Sequence, residues 1–337
     1  MPLHRVLLVP SVLIALAPLA EERIAFGVAA ETTLVRTLEN EYTMELDSLS
    51  LTMNGEDVPA DMFGEFEMHI ERRENFVVTD MFEAVGEGRP ERLRRSFDEL
   101  GGKEQTRYSS EEGEQSDDTD YASALEGKSV VFTWNAESEE FEAAFAEGAA
   151  GEAELLERLE EDMDLRRFLP AGAVSADESW QVEAGAIVSV LDPGGDMLLA
   201  DTDGEELDTD EQEALLRANY TGTIEAVYQG TREVDGVNVA VIALEADVRT
   251  HADTELGPDE VPEGARGTSR IEAAYQLAGE LLWDLEHGHA LSLELSGEHE
   301  FTLRESSEGD FEGESMEQSQ TMVFSGSTRL SMRFERE

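Results

Sequence analysis

Leu291–Leu303 reads LSLELSGEHEFTL. Leu291, Leu293, Leu295, Gly297, His299, Phe301 and Leu303 take every second position, with mostly polar residues between them. Successive side chains of an extended chain point to opposite faces, so this alternation predicts one long strand with a single buried face. The end of the chain repeats the pattern with Met322, Phe324, Gly326, Thr328, Leu330, Met332 and Phe334.

Working outward, Tyr42, Met44 and Leu46 alternate, and Leu49, Leu51 and Met53 continue in the opposite phase. That switch predicts a bulge or turn near Ser48. Phe66, Met68 and Ile70 alternate, and ENFVVTDMFEAV, SVVFTW, EEFEAAF, TGTIEAVYQG, VNVAVIALEADV and SRIEAAYQL also read as strands. Asp235-Gly236 between two such runs marks a hairpin turn, and WDLEHGHALSL marks another with its turn at Glu286 to Gly288. PERLRRSFDEL sits among strands and has charges on both faces, so it reads as strand. Two helices are expected. In EAELLERLEEDMDLRRFLP, Leu155, Leu156, Leu159 and Met163 form one face, ended by Pro170; EQEALLRAN gives the second. Residues 101–122, 251–268 and 305–320 are polar and read as mobile hairpin loops. No βαβ alternation occurs. The fold class expected is therefore α+β, mostly β: long, curved antiparallel sheet with two main helices packed on one face.

The composition bounds the partners. Against 24 Lys and Arg stand 78 Asp and Glu, a formal charge of −54, and Lys103 and Lys128 are the only lysines. Such a chain repels nucleic acid and anionic membrane surfaces; cationic partners and cations are electrostatically allowed. A solvated acidic surface adapted to salty water accounts for most of this charge. With 40% hydrophobic residues in periodic patterns, the chain nevertheless has a core to fold around.

Residues 1–20 are expected to be a signal peptide: Arg5, then an apolar stretch from Val6 to Ala20, then Glu21-Glu22-Arg23. Cleavage near Ala20, or after Ala29 or Ala30, would release a periplasmic or extracellular protein. The chain has no Cys, hence no disulfides and no lipid anchor. No later segment is long and apolar enough for a membrane-spanning helix. The expected organisation is an N-terminal β-rich half (21–200), a turn plus capped helix connector (201–218) and a C-terminal antiparallel half (219–337), acting as one unit.

Asp201–Glu211, DTDGEELDTDE, tests for a calcium loop. Counted from Asp201, Gly204 falls at position 4 and Gln212 at position 12, whereas an EF-hand needs Gly at 6 and Glu at 12. Thr209 and Gln212 instead fit a capping box, with DTDG as a turn before it. Asp201 and Asp203 stay as candidates for a non-EF calcium site. His287 and His289 are the one close histidine pair, beside Glu286, and a metal site there needs a third ligand from elsewhere. His299 shares their phase but lies roughly 33 Å further along an extended strand. It reads as a hydrogen-bonded core histidine or, with Phe301 and Trp283, as lining of a ligand cavity. Trp134, Trp180 and Trp283 read as core, as do Met44, Met53, Met68, Met322 and Met332.

No nucleophile elbow, zinc-protease motif, P-loop or dinucleotide fingerprint occurs. Among 78 acids, a catalytic carboxylate pair cannot be distinguished from chance spacing. VVTDMFEAVGEGRPERLRRSFDELGG, ALEGKSVVFTW, DLRRFLP and SADESWQV, taken in order, resemble uncharacterised secreted β-rich proteins of environmental bacteria. The outline is similar to the half-barrel fold of envelope lipoprotein carriers. This resemblance implies one cooperative β unit and no catalytic residue. The functional expectation is a non-enzymatic exported protein without resident cofactor, holding an apolar ligand or partner segment against a curved sheet. The alternative is a structural or interaction protein of the envelope, with acidic loops that respond to calcium. A hydrolase hidden among the carboxylates is a third expectation.

Overall fold

The computed structural model describes residues 21–59, 66–110, 113–201, 210–257, 261, 265–311 and 314–337. The signal-peptide stretch, Thr209 and Asp203 lie outside them. The protein is mostly β. Fourteen strands form one antiparallel sheet that does not close. They are β1 (Thr32–Met53), β2 (Glu56–Asp57), β3 (Glu67–Gly86), β4 (Arg89–Ser110), β5 (Gly113–Ser123), β6 (Ser129–Asn135), β7 (Glu140–Phe145), β8 (Ser179–Val182), β9 (Leu199–Asp201), β10 (Thr221–Val234), β11 (Val237–Glu255), β12 (Arg266–Asp284), β13 (His289–Phe311) and β14 (Glu314–Arg336). The long strands follow the order β4-β3-β1-β14-β13-β12-β11-β10. β1 pairs with β14 from Leu34↔Arg336 to Met53↔Gln318, which joins the two ends of the chain in mid-sheet.

The alternating sets meet in register. Leu281, Leu293 and Met332 stand side by side, as do Phe301 and Phe324. The phase change in β1 is a bulge between Leu46 and Ser48. Asp235 and Gly236 both have positive φ and close the β10–β11 hairpin as a two-residue turn. PERLRRSFDEL is strand, within β4.

Gly279, Gly297 and Gly326 lie on three neighbouring strands. Gly297 pairs with Leu277 on β12 and Thr328 on β14, so each glycine is two residues out of line with the next. A Cβ on any of them would overlap a carbonyl oxygen of an adjacent strand, from Glu294, Gln276 or Thr43. The diagonal glycine line lets the backbones approach where a side chain would hold them apart.

The helix expected over 152–170 does not form. Ala153–Leu156 and Arg166–Phe168 are short 3-10 turns, and Leu165 has φ 61°. Tertiary contacts outweigh local propensity here. The Glu160 and Glu161 carbonyls accept from the Arg95 guanidinium, at 3.0 and 2.9 Å. Glu160 N–H donates to the Gly194 carbonyl, and Asp196 N–H to that of Arg158. Hydrogen-bonding groups a helix would use internally are thus engaged elsewhere. Among the described residues the only helix longer than a single turn is α2 (Asp210–Ala218), after the one-turn α1 (Val188–Leu191).

Two of the three polar stretches read as loops are largely strand, and of 251–268 only the ends continue β11 and β12. β4 and β5 cover most of 101–122, and β13 and β14 run through most of 305–320. Backbone ladders and cross-strand pairs such as Gln105–Asp118 (2.7 Å) hold strands that bury little.

One end of the sheet's inner face is filled. Residues 21–31 and 146–200 lie against it and place Ile24, Phe26, Phe168, Ile187 and Val190 in one core with Phe82, Leu293 and Trp283. Asp80 anchors this packing. It pairs with Arg36 (2.7 Å) and, in two hydrogen bonds, with Arg95 (2.8 and 3.0 Å), all three buried. The two guanidinium groups hold the Asp80 carboxyl below its ordinary range against the opposing effect of burial.

Candidate functional site

The inner face changes character along the strands. Past the filled core comes a polar, aromatic belt. On the β1–β3–β4 side, Arg72 pairs with Glu74 (2.7 Å) and stacks on Tyr121 (4.7 Å) and Tyr42 (6.0 Å). Burial pushes the Tyr42 hydroxyl well above its ordinary range, partly offset by Arg72. On the other side His299 is buried. Its Nδ1 lies 2.7 Å from Thr328 Oγ1, its ring lies near Tyr42 and Tyr275, and its Nε2 has no hydrogen-bond partner. Burial holds its imidazole below the ordinary range.

Beyond the belt the apolar phase continues, its side chains less covered than those of the filled core. Met44, Leu46, Ile70, Phe301, Leu303 and Met322 are half-buried, and Phe324, 6.2 Å from Phe301 between ring centres, is buried. Glu305 and Gln320 then return the face to polar. β5, paired to the side of β4, carries exposed Glu114, Asp117, Asp118 and Asp120; by register Asp117 shares the face of this strip and the other three lie on the opposite face. A separate cleft of about 730 Å³ has the charged side chains Glu39, Glu74, Glu99, Lys103 and Asp120 among its walls.

The residues expected to line a cavity therefore separate. Phe301 belongs to the open strip and His299 to the belt. Trp283 is fully buried and donates from Nε1 to the Ala25 carbonyl (3.2 Å), so it packs in the filled core and lines no open space. Trp134 and Trp180 are half-buried; Trp134 lies under Arg89, 3.8 Å from the ring centre. Of the methionines read as core, Met332 is buried, Met44, Met68 and Met322 are half-buried, and Met53 is 40% exposed. The far end of β1 reaches past the segment that covers the core.

The histidine pair sits at the opposite end of β13, in the β12–β13 turn. Asp284 joins it: one ligand atom each from Asp284, His287 and His289 lie within 4.8 Å of one another. His287 Nδ1 is 2.7 Å and His289 Nε2 3.8 Å from Asp284 Oδ2. The sequence reading looked to the adjacent Glu286 and missed Asp284. The available signal was the D-x-x-H-x-H spacing across a tight turn. Burial lowers the affinity of His289 for protons, while its bond to the Ala290 carbonyl opposes this. Asp201 ends β9, half-buried and paired with Tyr121, remote in sequence from this turn; Asp203 and most of the acidic stretch lie outside the described residues.

No protein-family model matches the chain, and no curated protein compared with it matches. No described helix is long and apolar enough to cross a membrane.

Proposed function

We propose that this is an exported, non-catalytic binding protein whose open inner strip docks an extended apolar segment of a positively charged partner polypeptide in the cell envelope. The observation that carries the reading is the continuation of large apolar side chains, Phe301, Leu303, Met322 and Leu46, past the end of the filled core. Partly exposed aliphatic and aromatic side chains gathered on one face favour a macromolecular contact over water. The overall charge, with Asp117 of β5 on the same face, favours a cationic partner and speeds its approach. A long open sheet that curves along its glycine line would present the strip as a trough. A polypeptide segment suits a long shallow strip better than a small enclosed ligand does, since small ligands are mostly held in concave pockets.

Binding of three probes to the full chain tests this: a Leu/Lys amphipathic peptide, its Leu/Glu counterpart and a fluorescent fatty acid. The Leu/Lys peptide is expected to bind, more weakly as salt rises, and the Leu/Glu peptide to fail. A Leu303→Glu, Met322→Glu double variant with unchanged circular dichroism should lose at least about tenfold in affinity, as expected when charge is placed under an apolar contact. Fatty-acid binding in place of peptide binding would assign a lipid ligand instead. Binding of none of the three overturns the reading.

A further inference from the structure

The geometry points to a second, independent site: Asp284, His287 and His289 form a binding site for a divalent transition metal, with Zn²⁺ the best match to the donors. The case begins with a buried atom that lacks a partner. His289 is 5% exposed, yet its Nε2 has no hydrogen-bond partner. Its Nδ1 lies 2.7 Å from the Ala290 carbonyl, a contact that requires the proton on Nδ1 and leaves the Nε2 lone pair bare. A ring nitrogen freed in this way, with the other nitrogen held by a carbonyl, is how protein imidazoles are oriented toward metals.

The carboxylate is oriented as well. Asp284 is 3% exposed, and its Oδ1 accepts the backbone N–H groups of Glu286 (2.8 Å) and His287 (3.0 Å). Its Oδ2 is thereby turned toward the two imidazoles. Tetrahedral zinc with ligands about 2.0–2.2 Å away separates its donors by about 3.4 Å. His289 Nε2 and Asp284 Oδ2, 3.8 Å apart, are already near that spacing. His287 Nδ1, now 2.7 Å from Oδ2, needs a small outward rotation, in which metal coordination replaces the direct hydrogen bond. The His287 side chain is 37% exposed and leaves an entry path and room for water as a fourth ligand.

Two imidazoles and one carboxylate select against Ca²⁺ and Mg²⁺, which take oxygen ligands, and in favour of borderline ions such as Zn²⁺. Arg36 is close enough to disfavour another cation at His289, but its charge is paired with Asp80 (2.7 Å). The turn also holds the N-terminal segment: Gly27 N–H donates to the Gly288 carbonyl (2.9 Å), and Trp283 holds the Ala25 carbonyl. A metal here would stiffen the turn to which the N-terminal segment is hydrogen-bonded.

The test titrates the purified, untagged full chain, freed of metal by chelation, with Zn²⁺ against a chromophoric competitor. Millimolar Mg²⁺ occupies the surface carboxylates. One equivalent should bind, and Co²⁺ in its place should give the intense visible absorption of a low-coordinate site. His287→Gln, at a partly exposed position and so expected to fold, should lose at least about tenfold in Zn²⁺ affinity and lose the Co²⁺ bands. His289→Gln should lose binding more completely, with thermal melting reporting on its fold. Zn²⁺ binding that is equal in wild type and His287→Gln, or a Co²⁺ spectrum like that of the free aqueous ion, overturns the site.

Discussion

Gly326 stands opposite His299 across the β13–β14 pair, and a Cβ on it would lie 3.1 Å from His299 Nε2 and overlap the Thr43 carbonyl oxygen. The absence of a side chain at 326 lets the histidine stay in the sheet's inner face while β1 closes on β14. Gly326→Ala should therefore destabilise by about 2 kcal/mol or more, in the range of substitutions that force strands apart. Gly172→Ala, where a Cβ meets nothing within 4 Å, should stay within about 0.5 kcal/mol of wild type. Urea unfolding midpoints at constant slope check both, and equal midpoints would refute the close-approach account.

Asp80 is the carboxylate shared by two buried arginines. Asp80→Asn leaves Arg36 and Arg95 facing each other without a counter-charge, and removing one partner of a buried ion pair costs about 3–5 kcal/mol. Because the folded-state carboxyl titrates below its usual value of 3.8, its contribution is present above that pH and is lost as pH falls below it. Acid unfolding followed by circular dichroism should show this contribution in the wild type only. At the surface, Arg92→Ala breaks an exposed pair with Glu83 and should cost under about 1 kcal/mol.

His299 gives a pH dependence of the opposite origin. Burial depresses its folded-state pKa below 6.5, so below that pH the unfolded chain binds a proton that the folded chain does not. Stability contributed by the neutral ring is present above pH 6.5 and falls as pH drops toward the depressed value, with a slope of at most about 1.4 kcal/mol per pH unit. His299→Leu should flatten the curve of thermal midpoint against pH in this window. An unchanged curve would mean that the ring titrates alike in both states.

With a formal charge of −54, self-repulsion opposes the compact state. Melting temperature should rise with added NaCl as the charges are screened, and KCl should act alike. CaCl₂ at matched ionic strength should give the same rise if the acidic segments are solvated faces. A calcium-specific increase would instead favour the calcium-responsive alternative.

The strands, the Leu46–Ser48 bulge and the Asp235-Gly236 hairpin are legible in the sequence because each rests on neighbours a few residues apart. The helix expected over 152–170 failed because the Glu160 and Glu161 carbonyls bond to Arg95, some 65 residues earlier in the chain. The polar arms of β4–β5 and β13–β14 were read as loops because a backbone ladder needs no hydrophobic alternation. At the candidate metal site the histidines are visible as a pair and Asp284 is within reach of the D-x-x-H-x-H spacing, but only the folded β12–β13 turn shows that Asp284, and not Glu286, faces them.

Alternation along the chain was enough to decide which side of each strand avoids water, because the two-residue repeat is set by backbone geometry alone. Which part of that side is covered was decided only in three dimensions. Residues 21–31 and 146–200 fill one end of the inner face and leave Leu303 and Met322 half-open, and no local pattern records how far a distant segment reaches.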